Sequence, residues 1–98
     1  MHVMLIARFD GDVERLKRAY DDAHRLIMER GGPPGELRHH CAFDENALYI
    51  IGVWESEEHL RRRLDSKEFK DRLAETRFPS FDTADITVLR LHAIEPPL

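Results

Sequence analysis

The sequence predicts an α+β fold: one antiparallel sheet of four strands with two helices on one face. Two observations predict it. Val3 to Phe9 is an apolar run that turns at Asp10-Gly11 into a capped, amphipathic stretch starting at Val13. Leu48 to Trp54 repeats that pattern, with an apolar run followed at once by Ser56 and a second amphipathic stretch. Another strand follows each unit, so the order is βαββαβ. That order is the ferredoxin-like split βαβ arrangement, expected as one domain over residues 1–98.

The first strand is apolar on both faces, as a central strand with two covered sides should be. Asp12 is placed to cap the first helix, which runs to about Glu29. Val13, Leu16, Tyr20, Ala23 and Ile27 follow the three-four spacing of one buried face. Gly31-Gly32-Pro33-Pro34-Gly35 stops the helix, because glycine accepts the left-handed cap and proline cannot continue. The second strand is expected over Leu37 to Phe43, with Leu37, His39, Cys41 and Phe43 as its buried row and His40 on the other side.

Asp44-Glu45-Asn46 makes a polar hairpin loop into the third strand, Leu48 to Trp54. Ser56 caps the second helix, with Glu57 and Glu58 in the first turn where negative charge suits the dipole. Asp65-Ser66 interrupts that helix, and Ser66 starts a further helical piece carrying Phe69 and Leu73. Phe78 and Phe81 sit in the following loop and are read as plugs for the core. The fourth strand is expected over Asp85 to Ile94. The tail Glu95-Pro96-Pro97-Leu98 cannot extend a sheet and should lie along a surface.

Fifteen basic and nineteen acidic residues give a net charge of −4 and are interleaved along the helices. A broad nucleic-acid footprint would need a basic face, so no nucleic-acid partner is expected. No apolar run reaches transmembrane length, so no membrane is expected. The single cysteine, Cys41, permits no disulfide within the chain, and no export signal is evident, so the cytoplasm is the expected compartment.

A sheet with helices on one face leaves its other face bare. That face would carry Met4, Ile6 and one row of the third strand, and either row is apolar: Tyr49, Ile51 and Val53, or Leu48, Ile50 and Trp54. Two such sheets packed face to face would cover it, so a two-fold homodimer is expected. His2, Arg8, Arg90 and His92 would then lie toward the rim.

Val53-Trp54-Glu55-Ser56-Glu57-Glu58, with the later Ser66-Lys67-Glu68-Phe69, resembles the strand–Trp–Glu–Ser–helix segment of the dimeric α/β-barrel superfamily, antibiotic-biosynthesis monooxygenase type. The resemblance extends over nearly the whole chain through element order and length. It implies a cofactor-independent monooxygenase: a flat, oxidisable, quinol-like substrate held between helices and sheet, with no tightly bound metal or flavin. The haem-degrading branch uses an Asn, a Trp and a His where this chain has Ala7, Arg63 and Leu73, so haem degradation is not expected. The superfamily also contains isomerases and ligand-sensing domains. A non-catalytic dimer binding a small apolar ligand, or an isomerase or lyase, is therefore the alternative.

Among individual residues, His39 is the candidate base, since a half-buried imidazole can take a proton near neutral pH. Tyr20 and His24 lie one helical turn apart and could hydrogen-bond a ligand phenol or carbonyl. Trp54 matches the family segment and is a candidate pocket residue. No spacing of His, Cys or carboxylates makes a metal site. Cys41 should be inert, mid-strand and far from any helix N-terminus. Arg61 to Arg63 reads as a solvated helix face, with an anionic-ligand site as its alternative.

Overall fold

The computed structural model describes all of residues 1–98. Eight elements follow in order: β1 (Val3–Asp10), α1 (Val13–Met28), β2 (Glu36–Phe43), β3 (Ala47–Trp54), α2 (Glu57–Asp65), α3 (Lys67–Thr76), a short 3-10 turn (Phe81–Thr83) and β4 (Asp85–Arg90). The strands form one antiparallel sheet in the order β2-β3-β1-β4, the ferredoxin-like order that the sequence predicts.

The helices start where side chains satisfy free backbone N–H groups. Asp12 accepts from Arg15 N at 3.3 Å, Ser56 from His59 N at 3.2 Å and Ser66 from Phe69 N at 3.3 Å. The break between α2 and α3 thus falls at Ser66, which ends one helix and caps the next. Arg77 closes α3 in the left-handed region at φ 62°, and Phe78 N bonds back to Leu73 O at 3.0 Å. That reversal drops Phe78 into the core.

Val3, Leu5, Ala7 and Phe9 face the helices and are buried. Residues opposite one another on antiparallel strands share a face. The pairs Met4↔Val53, Ile6↔Ile51 and Met4↔Leu89 therefore place those side chains on the face away from the helices. It is the Tyr49, Ile51, Val53 row of β3 that points there, while Leu48, Ile50 and Trp54 enter the core.

Three expectations about the strands change. In β2 the expected buried row is only half right: His39 and Cys41 are half-buried, but Leu37 and Phe43 are exposed. Glu36 pairs with Trp54 and Arg38 with Val53, so Leu37 is an extra residue bulged out of the ladder. Phe43 lies exposed at the strand end, with the Lys17 ammonium 4.2 Å from its ring centroid. Second, β4 stops at Arg90 rather than Ile94, because Val3 pairs with Arg90 and almost no β1 remains beyond it; Leu91 N makes one last bond to His2 O. Third, Arg90 shares the helix-side row with Val3 and so is not at the rim of the opposite face.

The tail does lie along a surface. Arg38 Nη2, on β2, donates to Pro96 O at 2.8 Å. Since β4 and β2 are opposite edges, residues after Leu91 must cross the sheet. Three strand spacings are about 14 Å, within reach of a few extended residues. Val53 faces away from the helices yet is buried, as expected if the tail covers it. No helix is long and apolar enough to cross a membrane.

Candidate functional site

A cavity of about 300 Å³ opens between α1, the β2–β3 side of the sheet, and α2 and α3. Its walls are mostly apolar, with Leu5, Ile27, Ile50, Leu60, Phe69 and Leu73 among them. All four residues singled out from sequence line it: His39, Tyr20, His24 and Trp54.

The bulge at Leu37 builds the polar end. In a regular strand, residues three apart point to opposite faces. The extra residue cancels one alternation, so Glu36 (opposite Trp54) and His39 (opposite Gly52) both face the helices. Glu36 Oε2 then sits 3.0 Å from His39 Nδ1, and its side chain is only 12% exposed. His39 Nε2 is 2.6 Å from Tyr20 Oη on α1. The carboxylate can only accept, so Nδ1 carries the hydrogen and Nε2 presents its lone pair to the Tyr20 hydroxyl. The result is one directed chain, Tyr20 O–H to His39 Nε2 and His39 Nδ1–H to Glu36.

Ring stacking holds the chain in place. Tyr20 and His39 are nearly parallel at 5.9 Å and 9°. The exposed His24 stacks on both, at 5.5 Å from Tyr20 and 5.7 Å from His39. Burial, then the neighbouring Cys41, Glu36 and Asp21, push the Tyr20 phenol well above its usual range. Cys41 also lies on this side of β2, and burial pushes its thiol up to about 11, which fits its expected inertness.

Gly52 provides the room. A Cβ there would lie 2.7 Å from Glu36 Oε2 and 2.9 Å from Trp54 Nε1, so only glycine lets both groups converge over this point of β3. Trp54 Nε1 is buried and has no hydrogen-bond partner. An unpaired buried donor costs about 1–3 kcal/mol, which a ligand oxygen would recover.

Sequence reasoning missed Glu36, Gly52 and part of the arginine run. Arg61 and Arg62 are solvated, as expected, and pair with Glu57 at 3.0 Å and Glu58 at 3.5 Å. Arg63 instead lies half-buried on the cavity wall, its guanidinium 4.0 Å from the Phe69 ring centroid. Burial pulls its pKa down, against Glu36 and Glu68 which raise it. The available signal was its position three residues after the buried Leu60, at the margin of the apolar stripe. No group of three His, Cys, Asp or Glu side chains is placed to hold a metal ion.

No protein-family model matches this sequence, and no curated protein matches it. Solved structures do. SnoaB from Streptomyces nogalater, a cofactor-independent oxygenase, superposes with a TM-score of 0.70 at 20% identity, over 97% of each chain. Rv0793 from Mycobacterium tuberculosis gives 0.70 at 15% identity over 97% of this chain and 99% of that one. A Deinococcus radiodurans protein, provisionally named an antibiotic biosynthesis monooxygenase, gives 0.67 at 10% identity over 98% of both. At these identities the likeness is one of fold. The chain has the ferredoxin-like fold that these proteins share.

Proposed function

We propose that the protein is a cofactor-independent monooxygenase that binds and deprotonates a flat, quinol-like aromatic substrate. The observation that carries this reading is the Glu36–His39–Tyr20 chain ending on an apolar cavity of ligand size. The fold likeness to SnoaB, an oxygenase that uses no cofactor, agrees with it.

His39 is the base, and it acts through Tyr20, whose hydroxyl already fills its lone pair. The substrate phenol gives its proton to the Tyr20 oxygen while the Tyr20 proton passes to His39 Nε2. The imidazolium that forms is held against the Glu36 carboxylate, which also fixes the productive tautomer. Trp54 Nε1–H faces the oxygen on which charge develops. The electron-rich substrate anion then reduces O2 directly. Where a ring methylene becomes a carbonyl, O2 takes four electrons from the substrate, and its atoms end as the carbonyl oxygen and one water. His24 stacks on the chain and forms part of the pocket wall.

The working form is a cytoplasmic homodimer joined through the sheet face away from the helices. Met4, Ile6 and Ile51 are partly exposed there and Leu89 is 49% exposed, an apolar patch that a second copy would cover.

Oxygen uptake with an anthrone or naphthohydroquinone tests the reading. Wild type should consume O2 on adding substrate, and His39→Ala should lower the rate by about 10²–10⁴-fold with an unchanged circular dichroism spectrum. Unchanged turnover removes His39 from the mechanism. Tight binding without oxygen uptake would favour the non-catalytic ligand-binding reading.

A further inference from the structure

Arg63 is out of keeping with its surroundings. It is half-buried in a mostly apolar wall, and unlike Arg61 and Arg62 it makes no ion pair within 4 Å. A desolvated guanidinium normally pairs with an anion, because its lost hydration is otherwise uncompensated. Phe69 beneath it fixes the plane of the fork without neutralising the charge.

Its position is equally specific. Arg63 lines the inner cavity and also a second one of about 490 Å³ between the end of α1, α2 and α3. That outer space is walled by Arg30, Arg62, Arg72 and His59 against the one acid Glu68. Arg30 pairs with Glu68 at 3.4 Å, Arg62 with Glu58 at 3.5 Å and Arg72 with Glu75 at 2.8 Å, which leaves Arg63 as the arginine at the boundary with no ion pair within 4 Å, though Glu36 and Glu68 act on it from farther off.

We infer that the ligand is an aromatic acid: its ring system fills the inner cavity and its carboxylate pairs with Arg63 where the two spaces meet. This rests on the cavity being a ligand site, and it narrows the substrate class of the proposed reaction to anions. A planar bidentate fork seated over the Phe69 ring suits a carboxylate better than a single hydroxyl.

Isothermal titration with 3-hydroxy-2-naphthoate and with 2-naphthol separates the possibilities. The acid should bind wild type at least tenfold more tightly than the neutral phenol, and that preference should weaken as salt is raised. Arg63→Met should erase the preference while leaving naphthol binding in place. Arg62→Met, which removes a paired surface cation, should keep it. Equal affinities for the two probes in wild type overturn the inference without any variant, and so does a preference that survives Arg63→Met. Binding of naphthol with no preference leaves the pocket reading standing and removes only the anion. Failure of both probes overturns the pocket reading and this inference together.

Discussion

The two ends of the helix-covered sheet face are built from the same layers but packed in opposite ways. At one end, Phe9 at the close of β1 meets Phe78 at 4.8 Å and Phe81 at 5.0 Å, both edge-on, and Phe69 adds a further ring at 5.4 Å from Phe81. These rings interlock edge to face. At the other end, beside β2, the face carries Glu36, His39 and a glycine, and Tyr20 reaches them from α1. Polar groups held by one another, with no side chain on Gly52, edge a cavity of about 300 Å³, whereas the space beside the Phe rings is about 150 Å³. One end supplies the stability that lets the other remain open.

Breaking the packed end should cost most. Phe78→Ala should destabilise the fold by about 3–5 kcal/mol, read from urea unfolding, because a buried ring leaves a hole its neighbours cannot fill. Gly52→Ala, at the open end, should cost about 1–3 kcal/mol by overpacking. It should also weaken ligand binding, because Glu36 and Trp54 must both retreat from the new methyl. A loss of stability with unchanged binding would show that Glu36 is not part of the site.

Alkaline pH should act on the open end through two groups. The Cys41 thiol is raised from 9.0 to about 11, and the Tyr20 phenol is raised as well. Groups with raised folded-state values lend stability below their unfolded values and lose it as pH climbs through the folded ones. Stability should therefore fall above about pH 9, and Cys41→Ala should flatten the early part of that decline. A midpoint constant from pH 7 to 11 would contradict the shifts. The smallest effect is at the packed end: Arg77→Gly should stabilise by about 0.5–1 kcal/mol, since Arg77 holds a left-handed conformation that glycine takes freely. No gain would mean that the Arg77 side chain contributes contacts of its own.

The helix starts and the packed end were legible in the sequence because their signals are local. Asp12, Ser56 and Ser66 cap helices within three residues of themselves, and Phe78 and Phe81 stand out as aromatic residues in a loop. The open end was half legible. His39, Tyr20 and His24 were picked out by residue type and spacing and Trp54 by the family resemblance, but Glu36 was not, because a bulge reverses the alternation on which strand reading depends. Arg63 was hidden in a run of three arginines, two of which are ordinary surface. The end of β4 was misplaced because it is set by the length of β1, which β4 itself does not encode.

The proposed chemistry requires that the Glu36–His39–Tyr20 chain take a proton from a ligand in the cavity. The direct test is the absorption spectrum of 2-naphthol bound to the protein near neutral pH, where the free phenol is neutral. Wild type should show the red-shifted band of the naphtholate anion, and His39→Ala should lose it with binding retained. A bound phenol that stays neutral in wild type, or an anion band that persists without His39, would contradict it.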